Sequence, residues 1–332
     1  MRLPCRRLAD FALDELSARS FAVVGCLSFE QRCTVVPIKF SQSYGRKMNQ
    51  YLFELTDPPG GVPDYSQERA AKVADNRREL EHGGVCWTPI GGETVASEDA
   101  LLRHVALVTT ACPETIVLDI TAIPKRVFCF LLKRLMGMPS VPNLFAVYTE
   151  PGREGYTNAH LAADVMTPEP LPGFAGKFSD AENHLVASIG FEALGLRKLI
   201  LTLYREDNAN LRVLLPFPAP LETVRRQWNT LREIMEDDPG NLRKESVAVI
   251  AAWDAEQVYH KLVSWASSGA RLTLAPYGPK PHTLGMALFA IKHDASLWYT
   301  QPKVYHFDYS RGAGDSWWYV LKWQGIQCFD RS

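Results

Sequence analysis

The chain has 332 residues, 46% hydrophobic and 22% charged, which is enough to bury two domain cores of ordinary size. Thirty-six basic against 37 acidic side chains leave a net charge of −1; this excludes a generally basic nucleic-acid binder, while a local patch keeps nucleic acid open. The seven cysteines (Cys5, Cys26, Cys33, Cys86, Cys112, Cys129, Cys328) form no C-x-x-C pair, so they read as reduced thiols of a cytoplasmic protein and not as a zinc or redox motif.

In chain order, the opening MRLPCRRLADFALDEL mixes Asp10, Asp14 and Glu15 into its apolar pattern. It is neither a signal peptide nor a membrane span, and it predicts an amphipathic lead-in helix. Phe21 to Leu27 is a compact apolar run that suits the first central strand of an α/β sheet. Ser28-Phe29-Glu30-Gln31-Arg32 follows at once, where ligand-contacting loops lie in such sheets. Tyr51 to Leu55 predicts a second strand, closed by the turn signal Asp57-Pro58-Pro59-Gly60-Gly61. Gln67 to His82 predicts an exposed helix, Val85 to Thr88 a short strand, and Ser97 caps a helix running to about Ala111.

Thr115 to Lys125, TIVLDITAIPK, has a later echo at Arg271 to Lys280, RLTLAPYGPK. Each reads as a buried strand, a short loop, a Pro-Lys pair and then a helix. The helices, Lys125 to Met136 and His282 to Lys292, lead to strands ending in Tyr148-Thr149-Glu150-Pro151 and Tyr299-Thr300-Gln301-Pro302. The coincidence predicts a duplicated unit. Between the copies, Glu150 to Ser179 is crowded with Pro and Gly, which marks a linker at 158–178 between lobes at 1–157 and 179–332. In the second lobe Ser179-Asp180-Ala181-Glu182 predicts a capping box, and Leu196 to Tyr204 fits helix or strand. Asn210 to Phe217 and Ser246 to Ala252 predict strands; Leu221 to Met235 and the Asp254-capped Asp254 to Ala266 predict helices. Trp317 to Trp323 predicts a terminal strand. Strands alternating with helices give the fold class: α/β, two Rossmann-like lobes with mainly parallel sheets. No G-x-G-x-x-G, Walker lysine loop, H-E-x-x-H or G-x-S-x-G motif is present.

The Pro-Lys pairs are the first site candidates. Proline at the first helical position, followed by lysine, predicts an anion site at each helix start, with Lys125 and Lys280 as point charges. Gly278 would admit a phosphate near the backbone and Tyr277 would stack on a base. The bland reading is a proline that starts a helix and a lysine in water. Ser28, Glu30 and Arg32 form the next group: a carboxylate for a ribose hydroxyl or for general-base work, a guanidinium for phosphate, or an internal ion pair fixing the loop. Asp119 and Thr121 end a buried strand in the same layer, where an aspartate needs a ligand or a partner. Arg311, in Tyr309-Ser310-Arg311-Gly312, adds a weaker phosphate contact. The eight histidines show no metal spacing, so no metal and no cofactor are expected.

Taken as a set, Gly25 to Arg32, Leu118 to Thr121 with Pro124-Lys125, Tyr277 to Lys280 and Tyr309 to Gly312 resemble motifs of bacterial two-lobed Rossmann-like proteins associated with anti-phage defence loci. In outline the doubled architecture is similar to fused nucleotide-sensing domains of the CARF and SAVED kind. The resemblance implies a protein that binds or senses a nucleotide or another phosphorylated small molecule, with a defence-system protein as partner. Two alternatives stay open. One is a nucleotide-processing hydrolase or glycosidase with Glu30 or Asp119 as acid/base; the other is a non-catalytic scaffold that self-associates through its aromatic C-terminal strand.

Overall fold

The structure, a computed structural model, describes residues 6–7, 21–45, 48–110, 114–153, 155–156, 160–176, 183–203, 210–237, 246–267, 269–308 and 310–329. The chain forms β1 (Arg6–Arg7), β2 (Phe21–Leu27), α1 (Val35–Tyr44), β3 (Met48–Thr56), α2 (Ser66–His82), β4 (Thr88–Glu93) and α3 (Glu98–Thr110). Next come β5 (Thr115–Asp119), α4 (Lys125–Gly137), β6 (Asn143–Pro151) and β7 (Ala162–Val165). A second series follows: β8 (Glu169–Pro170), β9 (Asn183–Ile189), α5 (Leu196–Leu203), β10 (Asn210–Pro216), α6 (Leu221–Asp237) and β11 (Val247–Ile250). It continues with α7 (Ala255–Ala266), β12 (Arg271–Tyr277), α8 (Lys280–His293) and β13 (Ser296–Tyr299), and the chain closes with β14 (Pro302–Tyr305), β15 (Ala313–Trp323) and β16 (Ile326–Gln327). Met1–Asp164 with Lys303–Ser332 make one compact unit, and Val165–Pro302 make the other.

In the first unit five parallel strands run in the order β4-β3-β2-β5-β6, with β15 antiparallel beyond β6 and β1 beyond β15. In the second the order is β11-β10-β9-β12-β13, again parallel, with β8 antiparallel beyond β13. Position for position the two orders are the same, the doubly wound pattern whose switch point lies between its two central strands. The echoed motifs occupy equivalent places: β5 and β12 each flank the switch point, and α4 and α8 each follow them. The fold is therefore α/β with two Rossmann-like sheets, as the alternation of apolar runs predicted.

Apolar content explains the central strands. All seven residues of β2, FAVVGCL, are buried, because a parallel strand at the middle of a sheet has both faces covered. On one side Phe21, Val23, Phe40, Val117, Phe145 and Trp318 form a single cluster. α4 buries Val127, Phe128, Leu131, Leu132 and Leu135 at the spacing read from the sequence.

Several expectations need correction. The C-terminal strand belongs to the first unit and not to a lobe at 179–332: Trp318 pairs with Val147 in β6 and is fully buried among aromatic rings, 4.8 Å from Phe145 and 6.1 Å from Phe40. Pro124 and Pro279 stand at the N-cap, so Lys125 and Lys280 are the first helical residues. The third strand is Thr88–Glu93 and not Val85 to Thr88, since the Val85 amide still closes α2 by bonding Leu80 O at 3.0 Å. Pro89 and the two glycines are tolerated there because β4 is an edge strand. Arg6–Arg7 is a strand pairing with Trp317 and Trp318; the rest of the expected lead-in helix lies outside the described residues. α1 is a helix that the sequence did not reveal, with Pro37 in its first turn. Leu196–Leu203 resolves to helix, and Asp254 caps α7 by accepting from the Gln257 amide at 2.8 Å. The Ser179 capping box and Tyr309 lie outside the described residues.

Candidate functional site

The first unit gathers polar side chains at the C-terminal ends of β2, β5 and β6, around its switch point. Glu30 is the N-cap of a single 3-10 turn over Gln31–Cys33. Arg32 Nε and Nη2 donate to Glu30 Oε2 at 2.8 and 2.6 Å, and Ser310 Oγ donates to the same oxygen at 2.9 Å. Arg32 Nη1 reaches Thr149 O at 3.0 Å and the Tyr148 hydroxyl at 3.2 Å. Both ions are buried, Arg32 at 2% and Glu30 at 7% exposure, so the pair stands in the low-dielectric interior with its hydrogen bonds supplied by neighbours. Among the described residues every hydrogen bond to the Glu30 side chain falls on Oε2, and Oε1 has none.

The geometry settles what Arg32 does locally. Its guanidinium is held by Glu30, Tyr148 and the Thr149 carbonyl; it fixes the loop and is not presented to a phosphate. Burial pushes the Tyr148 and Tyr156 phenols and the Cys33 thiol above their ordinary pKa values, so all three stay neutral near pH 7. Ser28 is pinned from two sides: its hydroxyl accepts from the Glu30 amide at 3.4 Å, and its carbonyl accepts from Asn76 Nδ2 at 2.7 Å. Asp119 Oδ1 accepts from the Thr121 amide at 3.0 Å, and Thr121 Oγ1 accepts from the Thr149 amide at 2.9 Å. Thr121 thereby ties the end of β5 to β6. Lys125, half-buried, opens α4, whose first turn holds no acid and whose N-cap proline supplies no side-chain acceptor.

Arg311 has partners outside this cluster. It pairs with Asp308 at 2.9 Å, and Lys72 shares that carboxylate at 3.3 Å; Arg311 foremost, then Lys72, holds the Asp308 carboxyl below its usual range. The neighbouring Ser310 is the residue that reaches Glu30. The sequence contained the motif but gave no way to tell which of its side chains turns inward.

In the second unit the side chains at the equivalent strand ends bond to one another. Tyr277 is 5% exposed, and its hydroxyl lies 2.6 Å from Thr300 Oγ1 and accepts from the Thr300 amide at 3.2 Å. Its ring is therefore not offered for stacking on a base. A Cβ at Gly278 would collide with Ser188 Oγ, so glycine is required there by close packing and not by an approaching phosphate. Ser188 and His282, both fully buried, are 2.9 Å apart. The other imidazole nitrogen, Nε2, faces Ala251 O at 3.0 Å; a carbonyl can only accept, so Nε2 carries the proton and Nδ1 accepts from Ser188. Periodicity hid this pair, because His282 reads as one more residue of a helix start. Lys280 is half-buried at the first position of α8.

A cavity of about 920 Å³ opens in the first unit between β4 and α3, lined by Gly91, Gly92, Arg103, His104 and Arg126 among others. None of the residues nominated from the sequence lines it. His104 Nε2 donates to Gly91 O at 3.1 Å, and its buried Nδ1 has no hydrogen-bond partner among the described residues. Among the described residues no three His, Cys, Asp or Glu side chains are grouped to hold a metal ion, and no helix is long and apolar enough to cross a membrane.

No protein-family model matches the chain. No curated protein matches it either. Among solved structures it is similar to a protein described as a universal stress protein, from Pseudomonas aeruginosa UCBPP-PA14, at 13% identity and a TM-score of 0.25 over 87% of this chain and 95% of that one. A likeness at that score carries no functional argument, and the fold stands on the strand orders described above.

Proposed function

We propose that the first unit binds a phosphorylated small molecule, a nucleotide being the leading class, at the C-terminal edge of its sheet between the loops after β2 and β5. The observation that carries this reading is Glu30: a carboxylate at a switch point, anchored through Oε2 by Arg32 and Ser310, with Oε1 unbonded among the described residues. Such an oxygen suits a ribose hydroxyl. Lys125, opening the helix that follows the neighbouring strand, supplies positive charge for a phosphate. The resemblance to defence-associated proteins makes the ligand a signal and the protein a cytoplasmic sensor in bacterial anti-phage defence.

Titration calorimetry with a panel of mono-, di-, tri- and cyclic nucleotides tests the reading. Lys125→Ala is expected to weaken the best ligand by about tenfold or more while the protein stays folded by circular dichroism, a point charge on phosphate being worth over 1 kcal/mol. Lys280→Ala, in the second unit, should change binding little. Absence of heat with every nucleotide would sink the proposal.

The open Oε1 also favours one rival, hydrolysis of the bound nucleotide with Glu30 as general base. Product formed by wild type and absent with Glu30→Gln protein that circular dichroism shows to be still folded would support it; turnover by Glu30→Gln at the wild-type rate would end it.

A further inference from the structure

The cavity between β4 and α3 has the size of a small-molecule site, and its two sides differ in chemistry. Ile90, Ala100 and Leu107 supply apolar surface, and Arg103 adds an exposed cation. The β4 side is backbone. β4 is the edge strand of its sheet, so every second residue turns its N–H and C=O away from β3. The Thr94 amide bonds Thr56 O at 2.9 Å, whereas Gly91 O accepts from His104 Nε2 at 3.1 Å. The odd positions, Pro89, Gly91 and Glu93, therefore face the free edge. On that edge the carbonyls are used: Gly91 O by His104, and Glu93 O by the Ala96 amide at 3.1 Å. The Gly91 and Glu93 amides find no acceptor in β3, which lies on the other side, nor in any other described residue. A Cβ at Gly91 would meet no atom within 4 Å, so no side chain crowds that position. An edge with open donors and filled acceptors suits an anion. It does not suit an added peptide strand, which needs acceptors as well as donors, and Pro89 has no amide to offer.

The charges agree. Among the described residues Arg103 is in no ion pair, although Asp99 stands one turn before it on α3. Glu98 is paired with Arg134 at 3.3 Å. Glu93 leaves β4 from the face opposite α3: a Cβ at its neighbour Gly92 would strike the His104 ring at 2.9 Å, and successive side chains point to opposite faces. Arg126 also lines the cavity, with its Nε fixed on Ala96 O at 3.0 Å. We propose that this cavity is a second ligand site of the first unit and takes an organic carboxylate, its head received by the Gly91 amide and Arg103 and its apolar body by Ile90, Ala100 and Leu107. One exposed cation above an apolar floor matches a singly charged acid and not a polyphosphate. The inference does not depend on nucleotide binding at the switch point.

The test titrates the full-length chain with sodium 4-phenylbutyrate and with its uncharged counterpart 4-phenylbutan-1-ol, following amide chemical shifts. The acid should shift Gly91, Gly92, Glu93 and Arg103 with a dissociation constant on the order of millimolar, as expected of a ligand of about twelve heavy atoms. The alcohol should bind about tenfold more weakly. Arg103→Gln should weaken the acid by about fivefold and leave the alcohol unchanged, whereas Leu107→Asp should weaken both. Both side chains are exposed, so circular dichroism of each variant should match wild type. Equal affinity for acid and alcohol, wild-type binding of the acid by Arg103→Gln, or no shift along β4 and α3 with either probe overturns the proposal. Acid shifts that fall on Ser28 to Cys33 instead would place the carboxylate at the switch point and overturn it as well.

Discussion

At the scale of single residues, the Glu30–Arg32 pair decides how the first unit's loops are held. Arg32→Met leaves a carboxylate buried without its counter-ion, and we expect urea unfolding to report a loss of about 3–5 kcal/mol. Glu30→Gln should cost a similar amount. The double variant should lose clearly less than the sum, since neither charge is then stranded; additivity would show the pair to be uncoupled. His104 gives a pH signature. Burial, chiefly, holds its imidazole below the ordinary pKa, Arg103 adds to the effect and the Gly91 carbonyl opposes it. The unfolded chain therefore binds the proton more readily than the folded one, and stability should fall as pH drops below about 6.5. His104→Gln should flatten that fall in urea midpoints taken between about pH 7.5 and 5; an unchanged slope would refute the assignment.

At the scale of elements, β15 is held to the first unit by more than its ladder. Lys322, 4% exposed, donates from Nζ to Leu135 O, Met136 O and Met138 O at 2.9, 3.2 and 2.9 Å, and so caps the carbonyl end of α4. Lys322→Met keeps the bulk and removes the donor. Denaturant unfolding should show a loss of about 1.5–3 kcal/mol, the range for hydrogen bonds to a charged group. The strand-turn-helix units around β5 and β12 were legible in the sequence because a parallel strand buried on both faces leaves a continuous apolar run, and Pro-Lys marks the helix start. The place of β15 was not legible. WWYVLKW announces a strand, but its neighbour is chosen by Phe40 and Phe145, remote in sequence. Nor did the residue types at Glu30 and Arg32 tell whether the two ions would face a ligand or each other: the answer depends on Tyr148, Thr149 and Ser310, which the fold brings to them from more than a hundred residues away.

At the scale of the molecule, each unit has its own sheet and its own core, and the chain enters the second unit and returns to the first. Trp318→Ala, which empties the aromatic cluster of the first unit, should cost about 3–5 kcal/mol there. Hydrogen exchange should then speed up in β2, β5 and β6 while β9, β10 and β12 keep their protection; uniform loss across both sheets would mean one cooperative core. The doubled topology also explains why the same Pro-Lys motif has two fates. In the second unit Ser188 packs against Gly278 and Tyr277 bonds Thr300, whereas in the first the switch point is flanked by a carboxylate with one oxygen unbonded among the described residues. The most direct test of ligand binding at that point is an amide chemical-shift map of the full chain titrated with the best-binding nucleotide. The account predicts that the largest shifts fall on Ser28 to Cys33 and Ile120 to Arg126. Shifts confined to the cavity around Gly91 and Arg103, or to the loops after β9 and β12, would contradict it.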